Sequence, residues 1–137
     1  MALFVVDASL ALAWCFEDEA IGWADGVLER LRHGDRMVVP AHWQTEVLNG
    51  LLVALRRKRI KPGQPAQFWG AVSRLPIEVE HALLAPQAMA ILAFAEKHGL
   101  TVYDAAYLEL AHRRGLPLGS LDGALRRAAE LESIAPL

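Results

Sequence analysis

Four acidic residues stand out by where they fall in the chain. Asp7 ends the apolar run LFVV, Glu46 lies in WQTEVLNG, Asp104 closes TVYD, and Asp122 follows PLGSL. Each alone has an ordinary explanation. Asp7 can cap the helix that follows by accepting backbone N–H bonds. Thr101 to Asp104 spells the T-x-x-D of a capping box, and Asp122 opens an Asp-Gly turn. A helical glutamate usually faces water, but Glu46 has Trp43 one turn before it and Gly50 one turn after, a face that is not plainly solvated and that gives it room. Gathered in one crevice, the four would repel and raise one another's pKa unless a cation sat among them. Oxygen donors with no Cys or His indicate a hard ion, Mg²⁺ or Mn²⁺. Such an ion contacts phosphate oxygens and lowers the pKa of a bound water, so the implied chemistry is phosphodiester hydrolysis.

The elements that must position these acids follow from apolar spacing. LFVV reads as a buried strand, followed by helices over SLALAWCF and AIGWADGVLERLRHG with the acidic EDE as a break between them. RMVVP is a second strand, ended by Pro40. HWQTEVLNGLLVALRRKRI is a long helix with an apolar stripe of Val47, Leu48, Leu51, Leu52 and Leu55. After the loop KPGQP come a helix over QFWGAVSRL, a strand over IEVE, and a helix over APQAMAILAFAEKHG, with Pro86 in its first turn and Gly99 past its last. TVYDAAYLELAHRRG is helical, PLGSL a strand, DGALRRAAELES a closing helix and IAPL an edge strand. Strands alternating with helices predict a three-layer α/β/α sandwich around a mostly parallel sheet. Such sheets bind ligands beyond the carboxyl ends of their strands, where the strand order reverses, and Asp7 and Asp122 fall at two such ends.

The 137 residues suit one domain spanning 1–137, and a content of 54% hydrophobic against 22% charged residues excludes a disordered chain. A net charge of −2 means that any affinity for nucleic acid must be local. Cys15 is the single cysteine, in apolar surroundings, so neither a disulfide framework nor a thiolate metal site arises within the chain. No run approaches the ~20 apolar residues of a membrane span, and a cytoplasmic protein is expected. His33, His42, His81, His98 and His112 lack helical metal-site spacing and receive no role. The basic run Arg56 to Lys61 could grip an RNA backbone through its phosphates, although the dipole of the helix it ends already accounts for cations there. The pairs Arg113/Arg114 and Arg126/Arg127 suit RNA, an acidic partner or neither. Trp14, Trp23, Trp43 and Trp69 are expected in the core or an interface.

VVDAS at the start, EVLN on the third helix, YDAAYLELA and the late SLD together resemble the PIN-domain family, specifically the VapC-like toxin ribonucleases of type II toxin-antitoxin pairs. The likeness spans essentially the whole chain. It implies a metal-dependent endoribonuclease that uses Mg²⁺ or Mn²⁺ and leaves a 3′-hydroxyl and a 5′-phosphate. The resemblance makes Asp7, Glu46, Asp104 and Asp122 the acidic quartet, with Asp7, Asp104 and Asp122 as metal ligands. Ser9 and Ser120 match hydroxyl positions beside the acids, as groups that orient a carboxylate or a bound water. Threonine is commoner at the position of Ser120, yet the hydroxyl is kept. The implied partners are RNA, a cognate antitoxin and a second copy in a homodimer, with no membrane.

Two other readings compete. An aspartate-nucleophile phosphatase also begins with a strand and an Asp, but it usually carries a second acid two residues on, where Ser9 stands. A catalytically silent PIN-like module would use the same crevice only to bind RNA or a protein, and the presence of all four acids argues against it.

Overall fold

A computed structural model of the chain describes residues 1–16 and 22–137. Its elements run β1 (Leu3–Val6), α1 (Ala8–Ala13), α2 (Gly22–Arg32), β2 (Arg36–Pro40), α3 (Trp43–Arg56), α4 (Gln64–Val72), β3 (Ile77–Glu80), α5 (Ala85–His98), α6 (Val102–Arg114), β4 (Leu118–Gly119) and α7 (Gly123–Leu131). The expected break at Glu17 to Glu19 lies outside the described residues. The other predicted helices and strands are present with altered ends: PLGSL yields only the two residues of β4, α3 stops at Arg56, α4 begins at Gln64 inside the expected loop KPGQP, and IAPL contributes a single parallel bridge, Pro136 to Leu118, in place of a strand.

The four strands form one sheet in the order β3-β2-β1-β4, every pairing parallel. Helices flank this sheet in a three-layer α/β/α sandwich. Parallel strands buried on both faces read as continuous apolar runs, and Phe4, Val5, Val6, Met37, Val38 and Val39 are all fully buried. The chain steps outward from β1 through β2 to β3, then returns to place β4 on the other side of β1. The order therefore reverses between β1 and β4, where Val6 pairs with Gly119. A parallel sheet opens its ligand crevice at such a point.

α6 packs across β1 and β2 and is buried continuously from Ala105 to Ala111, which explains its low amphipathicity. α1 packs on α3. The stripe expected on α3 is narrower than its sequence suggests. Trp43, Val47, Leu51 and Ala54 face the core, whereas Leu48 and Leu52 lie exposed, because the spacing that reaches the core is the row i, i+4, i+8, i+11. Gly50 serves a different end from the one expected of it. A Cβ there would collide with Cδ1 of Leu12 and sit 3.0 Å from Cδ2, so the missing side chain admits α1 rather than making room for Glu46.

Candidate active site

Asp7 leaves β1 at the reversal point and caps α1. Its Oδ1 accepts from the backbone N–H of Leu10 at 3.0 Å and from the Ser9 hydroxyl at 2.7 Å, while Oδ2 accepts from the Ser120 hydroxyl at 2.5 Å. The capping explanation is thus correct, and incomplete. A cap needs one oxygen, and the second is bound by a hydroxyl 113 positions along the chain. The side chain is buried, and burial pushes its carboxyl up to about 6, against the three hydrogen bonds that favour the charge and with a further upward push from Asp104.

Ser9 and Ser120 stitch β1 to β4. Ser120 Oγ accepts from the backbone N–H of Asp122 at 2.9 Å, and Ser9 Oγ accepts from that of Leu121 at 3.0 Å. One buried hydroxyl therefore touches both Asp7 and Asp122. Asp122 in turn caps α7 by accepting from Leu125 at 3.3 Å.

Asp104 lies in the first turn of α6, where Thr101 Oγ1 accepts its backbone N–H at 3.1 Å. Its carboxyl is raised by burial, then by the charges of Asp122 and Glu46. Asp104 also helps raise Asp7. The four candidate acids, drawn from four segments of the chain, consequently share one electrostatic neighbourhood with Asp104 at its centre.

Glu46 behaves differently. Burial pushes its carboxyl up, but hydrogen bonds from His42 and Tyr107 outweigh burial and hold it below the usual range. Tyr107 Oη donates to Oε1 at 2.6 Å, and His42 Nε2 lies 3.1 Å from the same oxygen and 2.9 Å from the carbonyl of Tyr103. Both neighbours of Nε2 are acceptors, so that nitrogen carries the hydrogen. The imidazole also packs on the rings of Tyr103 and Tyr107. His42 therefore belongs to the site, a correction to the sequence reading that gave it no role. Signals for both residues were available, since His42 is four positions before Glu46 and Tyr107 three after Asp104, the offsets that share a helix face.

The arginine pairs separate cleanly. Arg113 bonds Glu109 at 2.7 Å and also Glu80, and Arg114 bonds Glu78 at 2.7 Å, so these two guanidiniums tie α6 to β3. Arg126 and Arg127 make no ion pair among the described residues. Arg59, in the basic run, lies over the Phe16 ring at 4.0 Å.

The donor set suits a hard divalent ion. It offers carboxylate and hydroxyl oxygens, and the largest influences on Asp7, Asp104 and Glu46 include no Lys or Arg. Among the described residues no three acidic, His or Cys side chains close into a ready-made cage, so an ion would be held by carboxylates that turn toward it together with waters, the habit of Mg²⁺. A phosphatase nucleophile would want a second acid two residues on from Asp7, and that position is Ser9, whose hydroxyl instead donates to Asp7.

A central parallel sheet reversing between β1 and β4, with acids collected at that reversal, agrees with the comparison to known families: the PIN domain matches residues 4–131. The chain belongs to the PIN-domain family. It is 31% identical to Ribonuclease VapC12 of Mycobacterium tuberculosis, over 97% of this chain and 100% of that protein. The fold is shared with PAE2754 from Pyrobaculum aerophilum at a TM-score of 0.71 and 22% identity, covering 93% of this chain and 84% of the other. It is shared too with VapBC2 from Rickettsia felis, solved bound to a DNA fragment from their promoter, at a TM-score of 0.66 and 12% identity, covering 98% and 97%. A third such structure is VapC20 of Mycobacterium tuberculosis, a Sarcin-Ricin loop cleaving toxin, at 0.60 and 17%, covering 93% and 95%.

Proposed function

We propose that this chain, as one PIN domain over residues 1–137, is a VapC-like endoribonuclease dependent on Mg²⁺ or Mn²⁺ and the toxin of a toxin-antitoxin pair. What supports the reading is that Asp104 feels the charges of Asp122 and Glu46 and itself raises Asp7, which lies where the strand order reverses between β1 and β4. Likeness to a ribonuclease over nearly the full chain supports the choice of RNA.

In this reading Asp7, Asp104 and Asp122 would hold the ion, and Ser9 and Ser120 fix the orientation of Asp7. When bound, Mg²⁺ or Mn²⁺ supplies Lewis-acid stabilisation of the charge that builds on the phosphate and leaving oxygens. Glu46 is kept ionised by its two donors, both on Oε1, so Oε2 is the atom that accepts the proton of the attacking water. In-line attack then opens the P–O bond to the 3′ oxygen, leaving a 3′-hydroxyl and a 5′-phosphate.

Two of the solved structures that share the fold are toxin-antitoxin assemblies, one from Klebsiella pneumoniae and VapBC2, which supports a protein antitoxin as partner. Leu83, Val102 and Tyr103 are exposed around one apolar depression beside α5 and α6, and they supply the face for a second copy in a homodimer. No helix among the described residues is long and apolar enough to cross a membrane, and the cytoplasm is the proposed location.

The deciding assay is cleavage of structured RNA with Mg²⁺ or Mn²⁺ by the wild type, Asp7→Asn and Asp104→Asn. The wild type is expected to cut and the variants to lose at least a hundredfold in rate. A wild type that cuts no RNA tested would favour the silent binding module, and variants as active as the parent would remove the assigned site.

A further inference from the structure

A cavity of about 770 Å³ opens between the start of α2 and α7, next to the acidic crevice. Gly119 and Ser120 form part of its wall, and Ser120 is the residue whose hydroxyl bonds Asp7. The crevice and the cavity are therefore two sides of one residue. Across from Ser120 the wall carries Trp23, Arg126 and Arg127.

Three observations define what this cavity accepts. Both arginines are exposed and without ion pairs among the described residues, in contrast to Arg113 and Arg114, whose charges are consumed by glutamates. Trp23 is 38% exposed, a large aromatic surface left facing solvent, and the Arg126 guanidinium stands 5.7 Å from its ring centroid. The neighbouring crevice is crowded with carboxylates in a chain of net charge −2, so a polyanion approaching it must be met by cations nearby. An aromatic face beside guanidiniums is the recurring platform for unpaired bases and their phosphates.

We propose that this cavity is a single-stranded RNA subsite: Arg126 and Arg127 hold backbone phosphates of the strand beside the cleavage point, and Trp23 stacks an unpaired base. The inference rests on the ribonuclease reading and adds to it the place where the strand lies. A segment of an acidic protein is the competing occupant, and the flat aromatic beside the cations favours the nucleotide.

The test measures binding of a short fluorescein-labelled single-stranded RNA to the full chain carrying Asp104→Asn, with Mg²⁺, by anisotropy across a salt series. Added Arg126→Ala and Arg127→Ala are expected to weaken binding at least tenfold at low salt. They are also expected to lower the slope of log K against log salt by about 1.4, the value for two lost phosphate contacts on a single strand. Trp23→Ala is expected to weaken binding severalfold and leave that slope unchanged. Arg56→Ala with Arg57→Ala removes the same charge elsewhere and is expected to leave Kd within twofold. Equal losses from the two arginine pairs, an unchanged slope, or dependence on Arg126 and Arg127 for a poly-glutamate peptide but not for RNA would each overturn the proposal. RNA held through the arginines yet left uncut by the wild type would defeat the ribonuclease reading and keep the subsite. RNA cut with no dependence on the arginines would do the reverse.

Discussion

The Tyr107 hydroxyl donates to Oε1 of Glu46 at 2.6 Å, a bond between α6 and α3 made by a tyrosine that is itself fully buried. With His42 on the same oxygen, Glu46 is fixed in direction and held ionised. Tyr107→Phe removes one donor and leaves the ring packing intact. It is expected to destabilise the protein by about 1.5–3 kcal/mol, the usual effect of a lost bond to a charged group, and to lower the RNA cleavage rate about tenfold through misdirection of Glu46. Combined with Glu46→Gln it should cost no more activity than Glu46→Gln alone. Independent, additive losses in the double variant would show that Tyr107 does not act through Glu46.

The carboxyl of Asp7, raised to about 6 from an ordinary 3.8, makes the metal-free protein sensitive to pH. Between those two values the folded state holds a proton that the unfolded state has released, so stability falls as pH rises through the window and levels off above 6. The integrated loss is on the order of 3 kcal/mol. Urea unfolding in EDTA at pH 4.5 and 7.5 is expected to show the wild type losing stability relative to Asp7→Asn as pH rises. A constant gap between the two proteins across that range would refute the burial of a charge at this position.

Much of this was legible in the sequence because it is local. A strand ending in Asp, a Thr three before an Asp and an Asp-Gly pair each announce a helix start, and a parallel sheet collects helix starts at one edge. That singles out Asp7, Asp104 and Asp122 as candidates, whereas Glu46 stands out for a helix face between Trp43 and Gly50. What resisted reading was pairing across distance: Tyr107 with Glu46 and His42 with the Tyr103 carbonyl each span 61 positions, and no local rule selects among such pairs. The exposure of Leu48 and Leu52 was hidden because apolar spacing on α3 cannot tell a face that meets the core from one left to solvent. IAPL has the composition of a strand, but with only Leu118 and Gly119 in β4 beside it there is almost no ladder to join.

Gly50 tests whether packing or propensity governs α3. Alanine is better than glycine inside a helix by about 1 kcal/mol, so propensity alone predicts that Gly50→Ala stabilises. The close approach of Leu12 predicts the opposite, since overpacking costs typically about 1–3 kcal/mol. Gly50→Ala is expected to lower the melting temperature, whereas Gly26→Ala on α2, where nothing lies within 4 Å of the new methyl, should raise it. Stabilisation by both substitutions would mean that the Leu12 side chain turns aside for the new methyl at little cost.

Divalent ions should reverse the electrostatic strain of the acidic crevice, and this gives a measurement independent of RNA. An ion that binds only the folded chain stabilises it by about 2.7 kcal/mol at a hundredfold excess over Kd, on the order of 10 °C in melting temperature for a domain of this size. Mn²⁺ is expected to produce such a shift at pH 7.5 and Asp104→Asn to remove most of it, since Asp104 is the acid that the charges of Asp122 and Glu46 both raise. The shift should shrink at pH 5, where Asp7 is largely protonated and a proton competes with the ion. A Mn²⁺ shift of equal size in the wild type and Asp104→Asn, or one that grows on acidification, would place the ion away from these carboxylates.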